Sequence, residues 1–215
     1  MNLSASNLAL VDYFQRGGTW MWALLACSLL ALAVILYKSV SLWLAGRGAR
    51  ALTAEVSSLV EQGKLSDAGE LCASSATAIS EVLEAVVSAA GKRAWSMREA
   101  AQTAGARQLG QLEAGLPVLS MVAGVAPLIG FLGTVSGMIR AFTAIAEQGL
   151  GEPVVVAGGI GEALITTASG LIVAIPCFIA YSYFAARVSG MGLQMELAGT
   201  HLAALASGEE AVEEI

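Results

Sequence analysis

Glu162 is the only charge in an apolar stretch from Val154 to Ala186, VVVAGGIGEALITTASGLIVAIPCFIAYSYFAA. A carboxylate at the middle of a bilayer costs roughly 2.5–3.5 kcal/mol even on lenient insertion scales. A chain keeps such a group where it faces a polar cavity, a partner, or an ion or proton pathway. Three hydroxyls follow it, Thr166, Thr167 and Ser169. On an ideal helix Thr166 and Ser169 share the face of Glu162, and Thr167 stands about 140° round from it. A hydroxyl both donates and accepts a hydrogen bond, which a proton path needs. The plainer use of such a hydroxyl is a bond to the carbonyl one turn back, and for Glu162 it is a structural carboxylate at a subunit interface.

A second polar set lies in Ala126-Pro-Leu-Ile-Gly-Phe-Leu-Gly-Thr-Val-Ser-Gly137, where Thr134 and Ser136 stand among small residues. Gly130, Gly133 and Gly137 form a small-residue face that Ala126 and Ala141 extend. Such faces let membrane helices approach closely, because lipid supplies no hydrophobic drive for their association. Gly133-x-x-x-Gly137 is a weak signal alone. Pro117 and Pro127 are expected to bend or loosen the helix that carries them.

The elements that must hold these residues follow from composition. Only 13% of the 215 residues are charged and 56% are hydrophobic, against about 25% charged in soluble domains. That balance points to an integral membrane protein. Three stretches are long enough to span: residues 20–43, 116–146 and 154–186. Trp20 and Trp22 at one end of the first, and Tyr37 and Trp43 at the other, are placed as interfacial anchors. The first stretch is not read as a signal peptide, since Asp12 offsets Arg16 before it and the apolar run continues well past Cys27.

Lys38, Arg47 and Arg50 follow the first span, Arg107 precedes the second and Arg187 follows the third, while the opposite side carries Arg16 and Arg140. The positive-inside rule then puts residues 1–19 and the turn 147–153 in the periplasm, and residues 44–115 and 187–215 in the cytoplasm. Residues 44–115 show helical periodicity at Leu52, Val56, Leu59 and Val60 and at Ile79, Val82, Leu83, Val86 and Val87, which reads as a solvated helical bundle. Gly63-Lys64-Leu65-Ser66-Asp67 reads as a helix break followed by an N-cap. Ser96 with Glu99 fits a capping box opening a helix that runs straight into the second span.

Several classes of chemistry find no support. Phosphate loops, nucleophile triads and metal-ligand spacings are lacking, and no cofactor or metal is expected. The three cysteines, Cys27, Cys72 and Cys177, are too few and scattered for a disulfide framework. His201 stands alone in a polar tail. The net charge of −6 gives no reason to expect nucleic-acid binding.

Ala126–Phe142 (APLIGFLGTVSGMIRAF) and Gly159–Pro176 (GIGEALITTASGLIVAIP) resemble the second- and third-span signatures of the MotA/TolQ/ExbB proton-channel family, closest to the ExbB branch and then TolQ. The resemblance implies an all-α integral membrane protein in the inner membrane, with three transmembrane helices, long helices extending into a cytoplasmic helical bundle, and a pentameric ring. It implies proton-pathway or pore-lining roles for Thr134, Glu162 and Thr167. Packing and pore-wall roles fall to Gly130, Gly133, Gly137, Ala126, Gly170, Pro127 and Pro176, and secondary polar roles to Thr166, Ser169 and Ser136. It also implies a homopentamer around a dimer of an ExbD- or TolR-like one-span partner, coupled to a TonB-like or Tol-like energy-transducing protein.

Ser136 stands where the family commonly has Trp, and Tyr37-Lys38 where an acidic-basic pair is common. The opening Tyr13–Trp22 favours an ExbB-like subunit that energises TonB-dependent transport across the outer membrane. A TolQ-type envelope-maintenance subunit or a motility motor is the alternative, and a flagellar MotA-type stator fits less well. A non-conducting membrane scaffold is the rival from another class. A secondary transporter is disfavoured, because three spans without an internal repeat provide no midplane substrate site. The chain itself is expected to perform no bond chemistry.

Overall fold

In the computed structural model, residues 12–91, 93–148 and 153–208 are described, and no strand occurs among them. After a short helical turn over 12–16 come α1 (Trp20–Gly46), α2 (Ala49–Glu61), α3 (Leu65–Ser74), α4 (Ala78–Ser88), α5 (Ala94–Glu113), α6 (Leu116–Gln148) and α7 (Pro153–Ser207). Three stretches are long and apolar enough to cross a membrane, within Trp20–Glu61, Ala94–Glu147 and Val156–Ser207. Each expected span therefore falls on a helix, and each helix outruns its apolar window. Glu147 and Gln148 belong to α6 and Pro153 to α7, so both ends of the turn expected over 147–153 are helical. Residues 149–152, the acidic tail after Gly208 and most of the N-terminal segment lie outside the described residues.

The chain divides into two compact units. One draws on residues up to Leu36 and on Gly115–Ser182, the other on Tyr37–Ala114 and the chain from Tyr183 onward.

The second unit is a helical bundle whose core follows the expected periodicity. α4 buries Ile79, Val82, Leu83, Val86 and Val87, and α2 buries Leu52, Val56 and Val60, while Leu59 is half-buried. The end of α7 completes the core with Val188, Met191, Met195, Leu202 and Ala203. A Cβ added at Gly199 would stand 2.9 Å from Ala101 Cβ and 3.1 Å from Val82 Cγ1, so the glycine is what lets α7 lie this close to α5 and α4.

Three local expectations are corrected. Ser96 does not cap α5. The helix begins at Ala94 behind an extended Arg93 with no side-chain cap bond, and the Ser96 amide itself donates to the Arg93 carbonyl at 2.9 Å. Nor does α5 run straight into α6, because Gly115 adopts φ 86 and interrupts the helix between Glu113 and Leu116. Only a residue without a Cβ takes that conformation readily. Pro117 sits in the first turn of α6, where its missing N–H breaks no helical bond. Pro127 and Pro176, by contrast, lie inside α6 and α7. The break at Gly63 stands as expected, with φ 74 and its amide on the Val60 carbonyl, but Lys64 is the N-cap of α3 and makes no side-chain cap bond.

Lys38 of α1 is 1% exposed and donates from Nζ to the Leu112 carbonyl at 2.8 Å. Leu112 lies in the last turn of α5, where carbonyls lack helical partners and the dipole favours a cation. As a sequence, Lys38 reads only as a flanking positive charge.

Cys72 of α3 is 1% exposed. Burial, reinforced by the Glu84 carboxylate, pushes its thiol up from 9.0 to about 11. The unfolded thiol ionises first, so the stability this group contributes is complete below about pH 9 and is lost as pH rises toward about 11. A Cys72→Ala chain is expected to show a shallower loss of melting temperature between those values than the unchanged chain. Identical alkaline profiles would remove Cys72 as a cause.

Candidate functional site: the α6–α7 seam and its ion pair

α6 and α7 meet along a seam of small residues in the first unit, and the spacing of approach is set by backbone rather than side chains. A Cβ at Gly137 would stand 2.6 Å from the Gly159 carbonyl oxygen, one at Gly159 would stand 2.7 Å from that of Gly137, and one at Gly170 would stand 2.7 Å from that of Ala126. A Cβ at Gly130 would meet the Thr166 carbonyl and Thr167 Cα at 3.1 Å. Residue numbers rise along one helix as they fall along the other, from Ala126 opposite Gly170 to Gly137 opposite Gly159, so the pair is antiparallel. Gly133 is filled from across the seam by the Thr166 side chain. Ala126, Ala141, Ala163 and Ala174 are buried on the same seam or its continuation. Gly130, Gly133, Gly137 and Ala126 thus all stand at the close approach of α6 to α7, and Gly170 stands opposite Ala126.

Gly137→Val is expected to destabilise the pair by about 1–3 kcal/mol, the usual cost of forcing atoms into a filled core. The Gly159 carbonyl faces that Cβ and has no side-chain freedom with which to yield. Thermal melting in detergent is the check, with Gly158→Val as the control, since a Cβ there meets nothing within 4 Å. Equal melting of both variants would mean that the seam is not tight at Gly137.

The hydroxyls divide according to their place on this seam. Thr166 is fully buried and bonds to the Glu162 and Ala163 carbonyls at 2.7 and 3.1 Å. Ser169 bonds to the Ile165 carbonyl at 2.8 Å. Both make the backbone bond that is the plainer reading of such residues. Thr167 differs, because its hydroxyl lies 3.1 Å from the Ala163 carbonyl and also 3.2 Å from the Gly130 carbonyl of α6. Thr134 bonds within its own helix to the Phe131 carbonyl at 2.6 Å and lines an open apolar groove with Val135, Met138, Ile139 and Phe142. No hydrogen bond joins Thr134 to Thr167 or Glu162 among the described residues.

Glu162 turns toward Arg140, and the two form an ion pair and hydrogen bond through Nη2 and Oε1. The carboxylate side chain is 12% exposed and the guanidinium side chain 53%. Arg140 Nη2 also donates to Ser136 Oγ at 3.4 Å, and Trp20 Nε1 donates to the same oxygen at 3.1 Å. Gly18, at φ 70, packs against this pair. Any Cβ there would overlap the Glu162 carboxylate and stand 3.5 Å from Arg140 Nη2. The carboxylate of α7, Arg140 and Ser136 of α6 and Trp20 at the start of α1 thus form one polar cluster, with Gly18 packed against it.

Arg140 and Gly18 are not singled out by sequence reasoning. Arg140 reads there as one of the two basic residues on the periplasmic side, and Trp20 as an interfacial anchor. The one local signal is the i, i+4 spacing of Ser136 and Arg140, which places both on one helix face. The partnership with Glu162 depends on how α6 and α7 are registered. Within one chain Glu162 turns to Arg140 of α6, and the Thr167 hydroxyl reaches the Gly130 carbonyl of the same helix further along the seam.

Residues 74–197, more than half of the chain, match the model of the MotA/TolQ/ExbB proton channel family. Among similar proteins, the Tol-Pal system protein TolQ of Pseudomonas aeruginosa is 46% identical over 81 residues, 38% of this chain and 35% of that protein. The biopolymer transport protein ExbB of Pseudomonas putida is 38% identical over 96 residues, 45% of this chain and 29% of that protein. The ExbB of Neisseria gonorrhoeae is 45% identical over 69 residues, 32% and 31% respectively. The chain thus spans about a third of the length of the curated relatives it matches. The family match takes in α4 to α6 and most of α7, and with them the seam, both pore threonines expected from sequence and the Glu162–Arg140 pair. With three helices able to cross a membrane and this match over the helices that carry the polar cluster, the chain belongs to the MotA/TolQ/ExbB proton channel family.

Proposed function

We propose that the chain is an inner-membrane stator subunit that conducts protons and, with a small one-span partner of the ExbD or TolR kind, converts the proton motive force into work on the cell envelope. The observation that carries this reading is a carboxylate, Glu162, ion-paired with Arg140 on an apolar helix pair whose seam also carries the cross-helix hydroxyl of Thr167. Thr134 and Thr167 offer hydroxyls for proton relay, and Glu162 offers a titratable group whose charge Arg140 balances. A proton crossing the membrane releases about 2.3 kcal/mol per 100 mV. That energy would move the partner relative to the ring.

The large exposed apolar side chains of both helices, among them Phe131, Phe142, Leu164, Ile172 and Phe178, support a reading in which other copies and lipid cover them. A homopentamer with the second and third spans around the partner fits that requirement. The orientation proposed is N-terminus in the periplasm and C-terminus in the cytoplasm. The branch proposed is ExbB-like, serving TonB-dependent transport, with TolQ-type envelope maintenance or a motility motor as the alternative.

A second reading has an observation in its favour. Thr134, Thr166 and Ser169 all have backbone partners within α6 or α7, and Arg140 pairs with Glu162, as a non-conducting scaffold would require. One experiment separates the two. The chain is purified from native membranes in mild detergent, its companions are identified, and the complex is reconstituted into vesicles carrying an internal pH dye. Recovery of a one-span protein with an aspartate in its span, together with proton uptake, supports the stator. A ring recovered without such a partner, and silent in the vesicles, supports the scaffold.

A further inference from the structure

A cavity of about 500 Å³ opens in the second unit where the end of α1, the start of α2 and the middle of α7 meet. Arg50, Arg187 and Gln194 line it, together with Gly46, Gly48 and Gly190, which bring no side chain to it. No carboxylate lines it. Neither guanidinium has an ion pair among the described residues, whereas Arg16 and Arg140 each do. Two like charges about one hollow repel each other. An anion between them removes the repulsion and meets two forked donors suited to phosphate oxygens.

The backbone favours the same charge. A Cβ at Gly48 or at Gly190 would meet nothing within 4 Å, so the space beside each is open. Arg187 Nη2 stands 3.8 Å from the Cβ position of Gly46, which places the guanidinium against a residue with no side chain to crowd a ligand. α2 begins at Ala49 behind Gly48 with no side-chain cap and no acid in its first turn. Its leading amides therefore have no side-chain acceptor from the protein. The cavity also follows directly on the apolar part of α1. Trp43, three residues before Gly46 in the sequence, is exposed and carries Arg47 over its ring at 4.1 Å, an arrangement suited to the headgroup level of a bilayer.

We infer that this cavity binds a phosphate-bearing anion, held by Arg50 and Arg187 with Gln194 as an additional donor. The phosphate of an anionic lipid headgroup and free inorganic phosphate present the same chemistry, and the test distinguishes them. The site is separate from the Glu162 cluster and does not depend on ion conduction.

The full chain, purified in uncharged detergent, is placed in nanodiscs of phosphatidylcholine alone or of phosphatidylcholine with phosphatidylglycerol. Retained lipid is read by native mass spectrometry, and thermal melting is followed as phosphatidylglycerol or inorganic phosphate is titrated separately. Phosphatidylglycerol retention is expected in the unchanged chain and in Arg47→Gln, and about thirtyfold weaker binding in Arg50→Gln/Arg187→Gln, from about 1 kcal/mol for each basic residue at the surface. Stabilisation by inorganic phosphate that the double variant loses would support the site with the free ion as its source. Equal weakening by Arg47→Gln would reduce the effect to diffuse surface charge and overturn the site, as would the absence of retention and of any melting shift with both probes. If the double variant fails to fold, Arg50→Lys/Arg187→Lys and each single Arg→Gln change carry the same comparison.

Discussion

Glu162→Gln is expected to lower proton uptake into vesicles at least about a hundredfold, the lower end of what a positioned proton donor and acceptor contributes to a transfer step. The amide keeps the shape of the side chain and removes its charge and its titration. The change also leaves the Arg140 guanidinium without its counter-charge, so loss of function alone would not separate conduction from assembly. The double variant Arg140→Gln/Glu162→Gln makes that separation. Where two partners act only on each other, removing both restores what removing one destroyed. A neutral pair that recovers assembly while uptake stays lost assigns Glu162 to the proton path. Recovery of uptake as well would make the pair purely structural and defeat the assignment.

Thr134→Val should be the cleaner experiment, since it deletes one hydroxyl at nearly constant volume. That hydroxyl bonds to the Phe131 carbonyl in its own helix and faces an open groove, so its loss leaves no buried partner stranded. Stability should change by less than about 0.5 kcal/mol, as for substitutions away from the core, and the oligomer should purify unchanged. Proton uptake, and growth on an iron source that requires a TonB-dependent receptor, should fall by about a hundredfold in rate if the hydroxyl relays protons. Thr134→Ser keeps the relay and should keep the activity. Unimpaired growth with Thr134→Val would remove Thr134 from the pathway. Thr167→Val gives a less direct answer, because it also deletes the bond that reaches the Gly130 carbonyl across the seam.

The location of Gly18 adds a constraint on how the cluster can work. Its φ of 70, with the Glu162 carboxylate standing where a Cβ would be, means that Gly18 cannot withdraw or advance without changing the surroundings of the ion pair. Whatever shifts Glu162 must therefore be accommodated at Gly18 and at the Trp20–Ser136 bond as well.

Much of this protein was legible in the chain because the relevant signals are local. An apolar run announces a span wherever it folds, since the bilayer demands length and hydrophobicity of each segment separately. The core positions of α2 and α4 follow from a period that each helix carries in itself. The hydroxyls one turn from their acceptors, Thr166 and Ser169, were equally readable, because the acceptor is supplied by the same helix. The helix starts and stops were less so. Ser96 had the letters of a capping box without being the cap, because an extended Arg93 opened the helix three residues earlier.

What the tertiary structure alone decided is every pairing between segments distant in sequence. Glu162 and Arg140, Lys38 and the Leu112 carbonyl, Trp20 and Ser136, and Thr167 and the Gly130 carbonyl are separated by 22, 74, 116 and 37 positions. No periodicity connects such residues. For Glu162 with Arg140 and Thr167 with Gly130 the meeting depends on the register of α6 against α7, and that register is chosen by backbone contacts at Gly130, Gly137, Gly159 and Gly170. The chain by itself showed that a carboxylate was worth retaining in an apolar helix. Which cation would answer it was settled by where four glycines allow two helices to touch.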